Sequence, residues 1–348
     1  MNRNIQRCSR CVLSANFPRI RFDDNGICNF CNDELLHSTL PGQIENARKD
    51  VLRIFDEIRG KAQYDAILCY SGGKDSTYTL KLAVEKFRLK VLSFTLDNGF
   101  ISPAAFRNIE NVVNNLGVDH ITYRPSYKFM KGLFRFSTLT EVYNPRTLTR
   151  ISANCNSCIS IVNITALKWA MEKDIPLILA GFTLGQIPVN TIAYQNNYEF
   201  LKESRRSVIE KLRSSLGSDV EKYLEIPESL LKKSTVAPYN VNLLTLESCT
   251  EEEIIKQIEP LGWVKPGNLD GCSTNCRINS FNNYVHEKRF GFSPYELELS
   301  HLIRKNLMSR DEALDKLYDQ PQNQVDAVFV ELGIDMEELS KIREYERK

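Results

Sequence analysis

The chain of 348 residues has almost no net charge, because 45 basic residues stand against 44 acidic ones and leave +1. A protein that binds a polyanion through its overall charge has a clear basic excess, so we expect a small-molecule substrate rather than tRNA. The chain also lacks an apolar run of 18 residues, and its first ten residues are polar. These absences argue against a membrane span and a signal peptide. The composition therefore predicts a globular, cytoplasmic enzyme or binding protein with no membrane partner.

Cysteine is abundant where a cytoplasmic chain usually has little, with ten residues of which eight fall into three groups. Disulfides are rare in the cytoplasm, so metal or redox chemistry is the better explanation. The first group is Cys8, Cys11, Cys28 and Cys31, two C-x-x-C pairs separated by sixteen residues. This is the spacing of a structural zinc site, and the residues between the pairs predict a β-hairpin. Residues 1–40 are thus predicted to form a zinc-ribbon-like lobe that the metal holds together.

The rest of the chain predicts an α/β fold, a parallel sheet with helices on both faces. Short apolar runs alternate with helical patterns between residues 63 and 190, which is typical of such a sheet. The predicted strands are 66–70, 91–96, 119–123 and 176–180, and the predicted helices between them are 76–85, 104–116 and 159–172. An amphipathic helix at 41–62 connects the lobe to this domain. Residues 191–348 are predicted to be mostly helical, with capping boxes at Thr250 and Ser309.

A glycine-containing turn follows the first predicted strand, and it carries the strongest chemical signal. Its residues are Ser71, Gly72, Gly73, Lys74, Asp75 and Ser76. Glycines let the backbone N–H groups point inward, and the helix that follows adds the positive end of its dipole, so the turn predicts a polyphosphate cradle. The usual NTPase loop G-x-x-x-x-G-K-S/T does not fit, because Leu68 stands at its first glycine. Asp97 and Gly181 end two further strands and are expected at the same crevice.

The residues at 71–76 resemble the pyrophosphate-binding loop of the PP-loop ATP pyrophosphatases, the adenine nucleotide alpha hydrolase-like superfamily with a HUP-type sheet. The resemblance implies that ATP is cleaved to AMP and pyrophosphate and that a substrate oxygen is adenylated on the way. It also implies that the loop holds the phosphates, that Lys74 neutralises their charge and that Asp75 helps to hold Mg²⁺.

Two further cysteine pairs, Cys155 with Cys158 and Cys272 with Cys276, are candidates for the chemistry that follows. The first pair precedes a predicted helix, whose N-terminus is expected to lower the thiol pKa. A C-x-x-C with one distant cysteine resembles the PP-loop tRNA thiolases, in which three cysteines bind a [4Fe–4S] cluster and leave one iron open for a sulfur ligand. Cys276 is the preferred third ligand, with Cys272 as a substitute or a persulfide carrier. A second zinc site formed by all four, or a redox disulfide between Cys155 and Cys158, are the alternatives.

A second resemblance links both ends of the chain to the N-acetyl sugar amidotransferases. It rests on residues 8–31 and on the segment from Phe290 to Ala313. Those PP-loop enzymes of surface-polysaccharide synthesis convert an N-acetyl group into an acetamidino group with ammonia from a glutaminase partner. The chain departs from them at Cys155, Cys158 and Cys276, for which an ammonia-dependent reaction has no use.

We therefore expect an AMP-forming enzyme that replaces an adenylated oxygen with sulfur and needs a sulfur donor. The alternatives are a sugar amidotransferase with a glutaminase subunit and an ATP-sensing binding protein. The expected cofactors are ATP, Mg²⁺, Zn²⁺ and a [4Fe–4S] cluster. The sequence leaves the oligomeric state, a homodimer included, open.

Overall fold

A computed structural model describes residues 5–233, 237–267 and 269–341. Within them the chain forms one six-stranded sheet with the order β3-β2-β1-β4-β6-β5. The strands are β1 (Ala66–Cys69), β2 (Val91–Leu96), β3 (Asp119–Tyr123), β4 (Leu177–Ala180), β5 (Ala193–Gln195) and β6 (Tyr239–Asn242). All neighbouring pairs are parallel except β5, which runs antiparallel to β6. The predicted α/β fold with a mostly parallel sheet is confirmed.

Helices surround this sheet and make up most of the remaining described residues. They are α1 (Glu34–Ile58), α2 (Lys74–Lys81), α3 (Pro103–Leu116), α4 (Tyr127–Leu139), α5 (Pro145–Leu148), α6 (Ala153–Glu172), α7 (Tyr198–Leu216), α8 (Asp219–Leu224), α9 (Glu228–Lys233), α10 (Glu251–Ile258), α11 (Asn279–Phe290), α12 (Glu296–Arg304), α13 (Arg310–Tyr318), α14 (Gln322–Leu332) and α15 (Met336–Ser340). A π-helical turn (Leu82–Lys86) extends α2. In the part of the chain that is described, none of these helices combines the length and apolar character needed to cross a membrane.

The core lies on both faces of the sheet, because alternate strand residues point to opposite sides. Ile67 of β1 packs into one apolar cluster with residues of α4, α6 and α11. Its neighbour Leu68 packs into a second cluster with residues of α1, α2, α3 and α10. This two-sided burial explains why β1 and β4 are apolar throughout.

Several element boundaries differ from those that the sequence predicts. Helix α1 is Glu34–Ile58 rather than 41–62, and α6 begins at Ala153 rather than at 159. The earlier start of α6 has a local cause, since Ser152 is its N-cap and accepts a hydrogen bond from the backbone N–H of Cys155. Strands β5 and β6 were not predicted, because both are short and polar. The capping boxes at Thr250 and Ser309 are confirmed.

The N-terminal residues 5–33, here called the four-cysteine lobe, pack against the C-terminal helices. Between its cysteine pairs the predicted hairpin is reduced to one antiparallel bridge, Phe22 to Cys28. The ring of Phe17 contacts that of Phe292 with centroids 5.2 Å apart. The lobe thus packs against the C-terminal part of the chain rather than standing alone. The division of the chain into four regions stays a prediction.

Candidate active site and metal centre

Four buried sulfurs gather in the four-cysteine lobe. The Sγ atoms of Cys8 and Cys31 are 3.9 Å apart, and those of Cys11 and Cys28 are 3.8 Å apart. A tetrahedral zinc with Zn–S bonds of 2.3 Å places its sulfurs about 3.8 Å from one another. The four cysteines predicted as one metal site are therefore brought together, with the spacing that a single metal ion requires.

Backbone groups already surround one of these sulfurs. Cys8 Sγ accepts hydrogen bonds from the N–H groups of Arg10, Cys11 and Cys28 at 3.4, 3.4 and 3.2 Å. These donors stabilise negative charge on Cys8, whereas the thiol of Cys11 raises the pKa of Cys28 and Cys31. A bound cation would remove this conflict, because it allows all four sulfurs to ionise.

The turn predicted to hold a polyphosphate, residues 71–76, lies at the end of β1 and is here called the phosphate loop after that prediction. Gly72 has φ +75°, and a Cβ at this position would lie 2.7 Å from the carbonyl oxygen of Ala105, so only glycine fits. The hydroxyls of Ser71 and Ser76 are 3.0 Å apart and brace the turn. Lys74 begins helix α2. The loop therefore presents the N-terminus of that helix to the crevice, which suits an anion.

Gly181, at the end of β4, allows this strand to approach the phosphate loop closely. A Cβ at Gly181 would lie 2.8 Å from Thr79 Oγ1 and 3.1 Å from the carbonyl oxygen of Asp75. A larger residue would therefore push the strand and the loop apart. The structure places Gly181 beside the loop, as the sequence predicts for its strand end.

Lys74 lies between the carboxylate of its neighbour Asp75 and that of Glu251, which is distant in the chain. Its Nζ is 2.7 Å from Asp75 Oδ1 and 3.8 Å from Glu251 Oε2. Burial lowers the pKa of Lys74, but Asp75 and Glu251 outweigh this effect, so its pKa lies above the ordinary value and the side chain is charged. Glu251 also binds Lys316 and Lys265, with Nζ–Oε distances of 2.9 and 3.4 Å. Three lysines thus surround one carboxylate beside the phosphate loop.

A second carboxylate, Glu298 on α12, stands in the same wall. Its Oε1 accepts a hydrogen bond of 2.9 Å from Thr183 Oγ1. Burial, together with the charge of Asp75, raises the pKa of Glu298 to about 7. Near pH 7 the carboxyl group of Glu298 is therefore partly protonated.

Residues 263–267 and 269–277, here called the crossing segment, contact the phosphate loop. Trp263 Nε1 donates to the carbonyl oxygen of Gly72 at 3.0 Å, and Thr274 Oγ1 accepts from the N–H of Lys74 at 3.0 Å. Further along, Cys276 forms a β-bridge with Ile101, next to the end of β2. One segment thus touches the phosphate loop and carries the cysteines at 272 and 276.

The phosphate loop and the four later cysteines line one crevice of about 940 Å³. Cys155 and Cys158 project from the same face of α6, because residues three apart lie on one side of a helix. They line the crevice from α6, and Cys272 and Cys276 line it from the crossing segment. A volume of this order suits a nucleotide together with a second small molecule.

Two asparagine side chains donate to three of these sulfurs. Asn98 Nδ2 is 3.4 Å from Cys158 Sγ and 3.8 Å from Cys276 Sγ, and Asn282 Nδ2 is 3.3 Å from Cys155 Sγ. Burial nevertheless raises the pKa of Cys158 and Cys276 to about 12 and also raises that of Cys155. The lowered thiol pKa expected at the start of α6 is thus wrong for the metal-free protein, since burial outweighs the helix dipole.

These later cysteines do not form a one-metal site. Among the described residues, the lobe's Cys8, Cys11, Cys28 and Cys31 are the one group of three or more potential ligands whose atoms all lie within 4.8 Å of one another. A second zinc site at 155, 158, 272 and 276 would need that spacing. A four-iron cluster does not, because each of its cysteines binds a different iron.

Two of the site residues predicted from the sequence, Asp97 and Gly72, do not line the crevice. Asp97 does not line it, because its carboxylate accepts from the N–H of Gly99 and pairs with Arg124. Gly72 does not line it either and acts through its backbone conformation. The neighbour of Asp97, Asn98, is the residue of that loop that faces the cavity.

Several lining residues were missed, and they share one reason. Glu251, Lys265, Thr274, Asn282, Glu298 and Lys316 come from loops and helices far from the phosphate loop in the chain. Glu251 was noted only as part of a capping box, and Thr274 only as a residue between two cysteines. No local pattern distinguishes them from ordinary surface residues.

Comparisons with known proteins give three similarities. Residues 270–348 match the family described as LPS biosynthesis protein WbpG-like, C-terminal domain. An uncharacterized protein from Methanocaldococcus jannaschii is 26% identical over 316 residues, which cover 89% of this chain and 92% of that protein. Among solved structures, the chain matches the U34-tRNA thiolase NcsA from Methanococcus maripaludis, determined with its [4Fe–4S] cluster. That match has 16% identity and a TM-score of 0.34 and covers 87% of this chain and 86% of the other, and it carries no argument about function.

Proposed function

We propose that the protein is an ATP-dependent transferase that adenylates a substrate oxygen, releases pyrophosphate and then replaces AMP with a new group. The observation that carries the proposal is the shared crevice, which the phosphate loop at 71–76 and the cysteines at 155, 158 and 276 line together. A polyphosphate site alone would suit many ATP-binding proteins. Thiols in the same cavity suit one that performs a second step on the activated substrate.

The first half of the reaction rests on the chain's own charges. The phosphate loop and the N-terminus of α2 hold the β- and γ-phosphates, and Lys74 with Lys316 neutralises the charge that develops on them. Asp75 helps to hold the Mg²⁺ that accompanies the triphosphate. The substrate oxygen attacks the α-phosphorus, the bond to the β-phosphate oxygen breaks, and pyrophosphate leaves with its electron pair. The product is an adenylate in which AMP is a good leaving group.

For the second half we propose that the group transferred is sulfur. Cys155, Cys158 and Cys276 would hold a [4Fe–4S] cluster, which supplies an iron without a protein ligand where a sulfur ligand can bind. The N–H···S contacts from Asn98 and Asn282 support this assignment, because buried thiolates need such donors. Cys272 is less suitable as the third ligand, since no side-chain N–H of the described residues donates to its Sγ, which itself donates to the carbonyl oxygen of Lys316 at 3.6 Å.

A sugar amidotransferase is the second candidate, and the match of residues 270–348 to a family of lipopolysaccharide biosynthesis favours it. In that reaction the oxygen of a sugar N-acetyl group is adenylated, and ammonia from a glutaminase partner displaces AMP. Both candidates share the activation step, so they differ in the incoming nucleophile and in the role of the thiols. For the four-cysteine lobe we propose Zn²⁺, on the sulfur spacing given above.

Purification without oxygen distinguishes the two candidates. Sulfur transfer predicts a brown protein whose iron and visible absorption are lost in Cys155→Ala and Cys276→Ala and retained in Cys272→Ala. A colourless wild-type protein with zinc and without iron would contradict sulfur transfer and favour the amidotransferase.

AMP formation tests the shared activation step. Lys74→Ala should abolish it without unfolding the chain, whereas Lys81→Ala, at the other end of α2 and outside the crevice, should leave it unchanged. Pyrophosphate release retained in Lys74→Ala would show that the ATP site lies elsewhere. A wild-type protein that forms no AMP in a single turnover would instead favour an ATP-sensing binding protein.

A further inference from the structure

Each of the three sulfurs proposed as cluster ligands receives an N–H group from a buried asparagine. Asn98 serves Cys158 at 3.4 Å and Cys276 at 3.8 Å, and Asn282 serves Cys155 at 3.3 Å. Asn98 is 6% exposed and Asn282 is 2% exposed. Both side chains are thus largely buried at the wall of the crevice, with the sulfurs as hydrogen-bond partners of their amide nitrogens.

The orientation of both carboxamides is set by other hydrogen bonds. Asn98 Oδ1 accepts from the backbone N–H of Phe100 at 2.8 Å. Asn282 Oδ1 accepts from Asn154 Nδ2 at 3.0 Å, and Asn154 Nδ2 also donates to Thr138 Oγ1 at 2.9 Å. With the oxygen of each amide held by a donor, the nitrogen must face the sulfur. The two asparagines are therefore preorganised donors rather than side chains that happen to lie nearby.

Cys272 shows the contrast within the same crevice. Its Sγ donates to a backbone carbonyl oxygen, which a thiol can do and a thiolate cannot. Among the described residues, side-chain N–H groups thus donate to three of the sulfurs and not to Cys272, although Cys155 Sγ also lies 4.0 Å from the acceptor Asn279 Oδ1. This division matches the chemical states expected of three metal-bound thiolates and one free thiol.

We propose that Asn98 and Asn282 are positioning residues of the three-thiolate centre, which set its reduction potential through N–H···S hydrogen bonds. The inference rests on the proposed function, because it assigns the cluster that this function requires. Reduction adds one negative charge to a cluster and its thiolates, and hydrogen bonds to the sulfurs stabilise the more negative state. Removing the donors should therefore make reduction harder.

The test is a redox titration of the full-length protein loaded with its cluster under anaerobic conditions. Asn98→Ala and Asn282→Ala should each lower the midpoint potential, and Asn98→Ala should do so more because its side chain serves two sulfurs. Asn163→Ala is the matched control, since this exposed asparagine lines the same crevice and makes no hydrogen bond to a cysteine among the described residues. Melting temperatures measured alongside separate loss of stability from a change in potential.

The outcomes separate this inference from the proposed function. If the wild-type protein binds no iron, sulfur transfer fails and the inference fails with it. If it binds the cluster and the three variants share its midpoint potential, the inference is wrong while the cluster stands. A lowered melting temperature with an unchanged potential would likewise contradict it, because a purely structural role has that signature.

A second measurement avoids the variants, which is useful if they do not retain the cluster. Wild-type protein labelled with ¹⁵N-asparagine is reduced and examined by pulsed electron–nuclear double resonance. Hyperfine coupling to the side-chain ¹⁵N of asparagine is expected, since the N–H groups contact the ligand sulfurs. Absence of this coupling in a fully loaded sample would overturn the inference.

Discussion

Arg7 of the four-cysteine lobe and Glu296 of helix α12 form a buried ion pair, with 3.0 Å between Nη1 and Oε1. The two side chains are 6% and 0% exposed. The other carboxylate oxygen of Glu296 accepts from both the N–H and the hydroxyl of Ser14, each at 2.9 Å. Two residues further along, α12 carries Glu298 into the crevice wall. The lobe is thus joined to the element that forms one side of the crevice.

Breaking this pair should destabilise the protein strongly. Removal of Arg7 leaves the charge of Glu296 buried without a counter-charge, so Arg7→Leu should lower the free energy of unfolding by about 3–5 kcal/mol. Arg53→Leu removes an exposed pair of the same 3.0 Å length, Arg53 with Glu57, and should change it by less than about 0.5 kcal/mol. Urea titration of both variants is the measurement. Equal effects would show that burial of the Arg7–Glu296 pair adds nothing.

The metal of the four-cysteine lobe is expected to stabilise the fold. Cys28→Ser removes one of four proposed zinc ligands, so it should reduce the zinc content and lower the melting temperature while leaving the residues of the phosphate loop unchanged. Metal analysis and calorimetry measure the two effects. Cys249→Ser is the control, because Cys249 lies beside Tyr78 and outside the lobe. Unchanged zinc content and melting in Cys28→Ser would refute the assignment.

Lys316 should contribute to ATP binding although it is far from the phosphate loop in the chain. Its Nζ lies 2.9 Å from Glu251 Oε2, and Glu251 also contacts Lys74. A charge-assisted hydrogen bond to phosphate is worth about 1.5–3 kcal/mol, so Lys316→Ala should raise the KM for ATP about tenfold or more. Steady-state kinetics of AMP formation check this, with Lys256→Ala as an exposed control. An unchanged KM in Lys316→Ala would show that Lys316 only stabilises Glu251.

Glu298 should make the folded protein less stable as pH rises. The pKa of Glu298 is raised from 4.5 to about 7 in the folded state, first by burial and then by Asp75. Between these values the folded state binds more protons than the unfolded state, so the free energy of unfolding falls as pH rises, by roughly 3 kcal/mol in all. Glu298→Gln should flatten this part of the profile. Glu287, whose pKa burial also raises to about 7, leaves a residual slope.

Unfolding experiments at a series of pH values between the two pKa values measure this contribution. Glu57→Gln, on the exposed surface of α1, should keep the wild-type slope. A slope in Glu298→Gln equal to that of the wild type would show that Glu298 titrates normally in the folded protein.

Features that depend on neighbouring residues were accessible from the sequence. Four short strand patterns stand between helical patterns, and those of β1, β2 and β4 are largely apolar, so the positions of all four strands were predicted almost to the residue. The turn at 71–76 needs two glycines between a strand and a helix, and the four-cysteine lobe needs two C-x-x-C pairs at a suitable distance. Helix ends were less predictable, because a cap such as Ser152 is one polar residue among many.

Features that depend on contacts between distant residues were not accessible. Thr274 and Lys74 are 200 positions apart, and yet the hydroxyl of one accepts the backbone N–H of the other. Asn282 and Cys155 are separated by 127 positions. Asparagine, lysine and glutamate are common on surfaces, and their role depends on what they face once the chain is folded.

By itself the sequence determined the α/β fold, the phosphate loop and the grouping of the first four cysteines, since each follows from backbone geometry or spacing within a short stretch. The position of Cys155 and Cys158 before a helix of the sheet also predicted that this pair faces the crevice, but only the tertiary structure decided that Cys272 and Cys276 open into it as well. It also decided that Asn98 and Asn282 serve three of them while Cys272 is held by a carbonyl oxygen. The reason is physical: a hydrogen bond or an ion pair acts over a few ångströms of space, and the order of residues along the chain does not state which of them folding will bring that close.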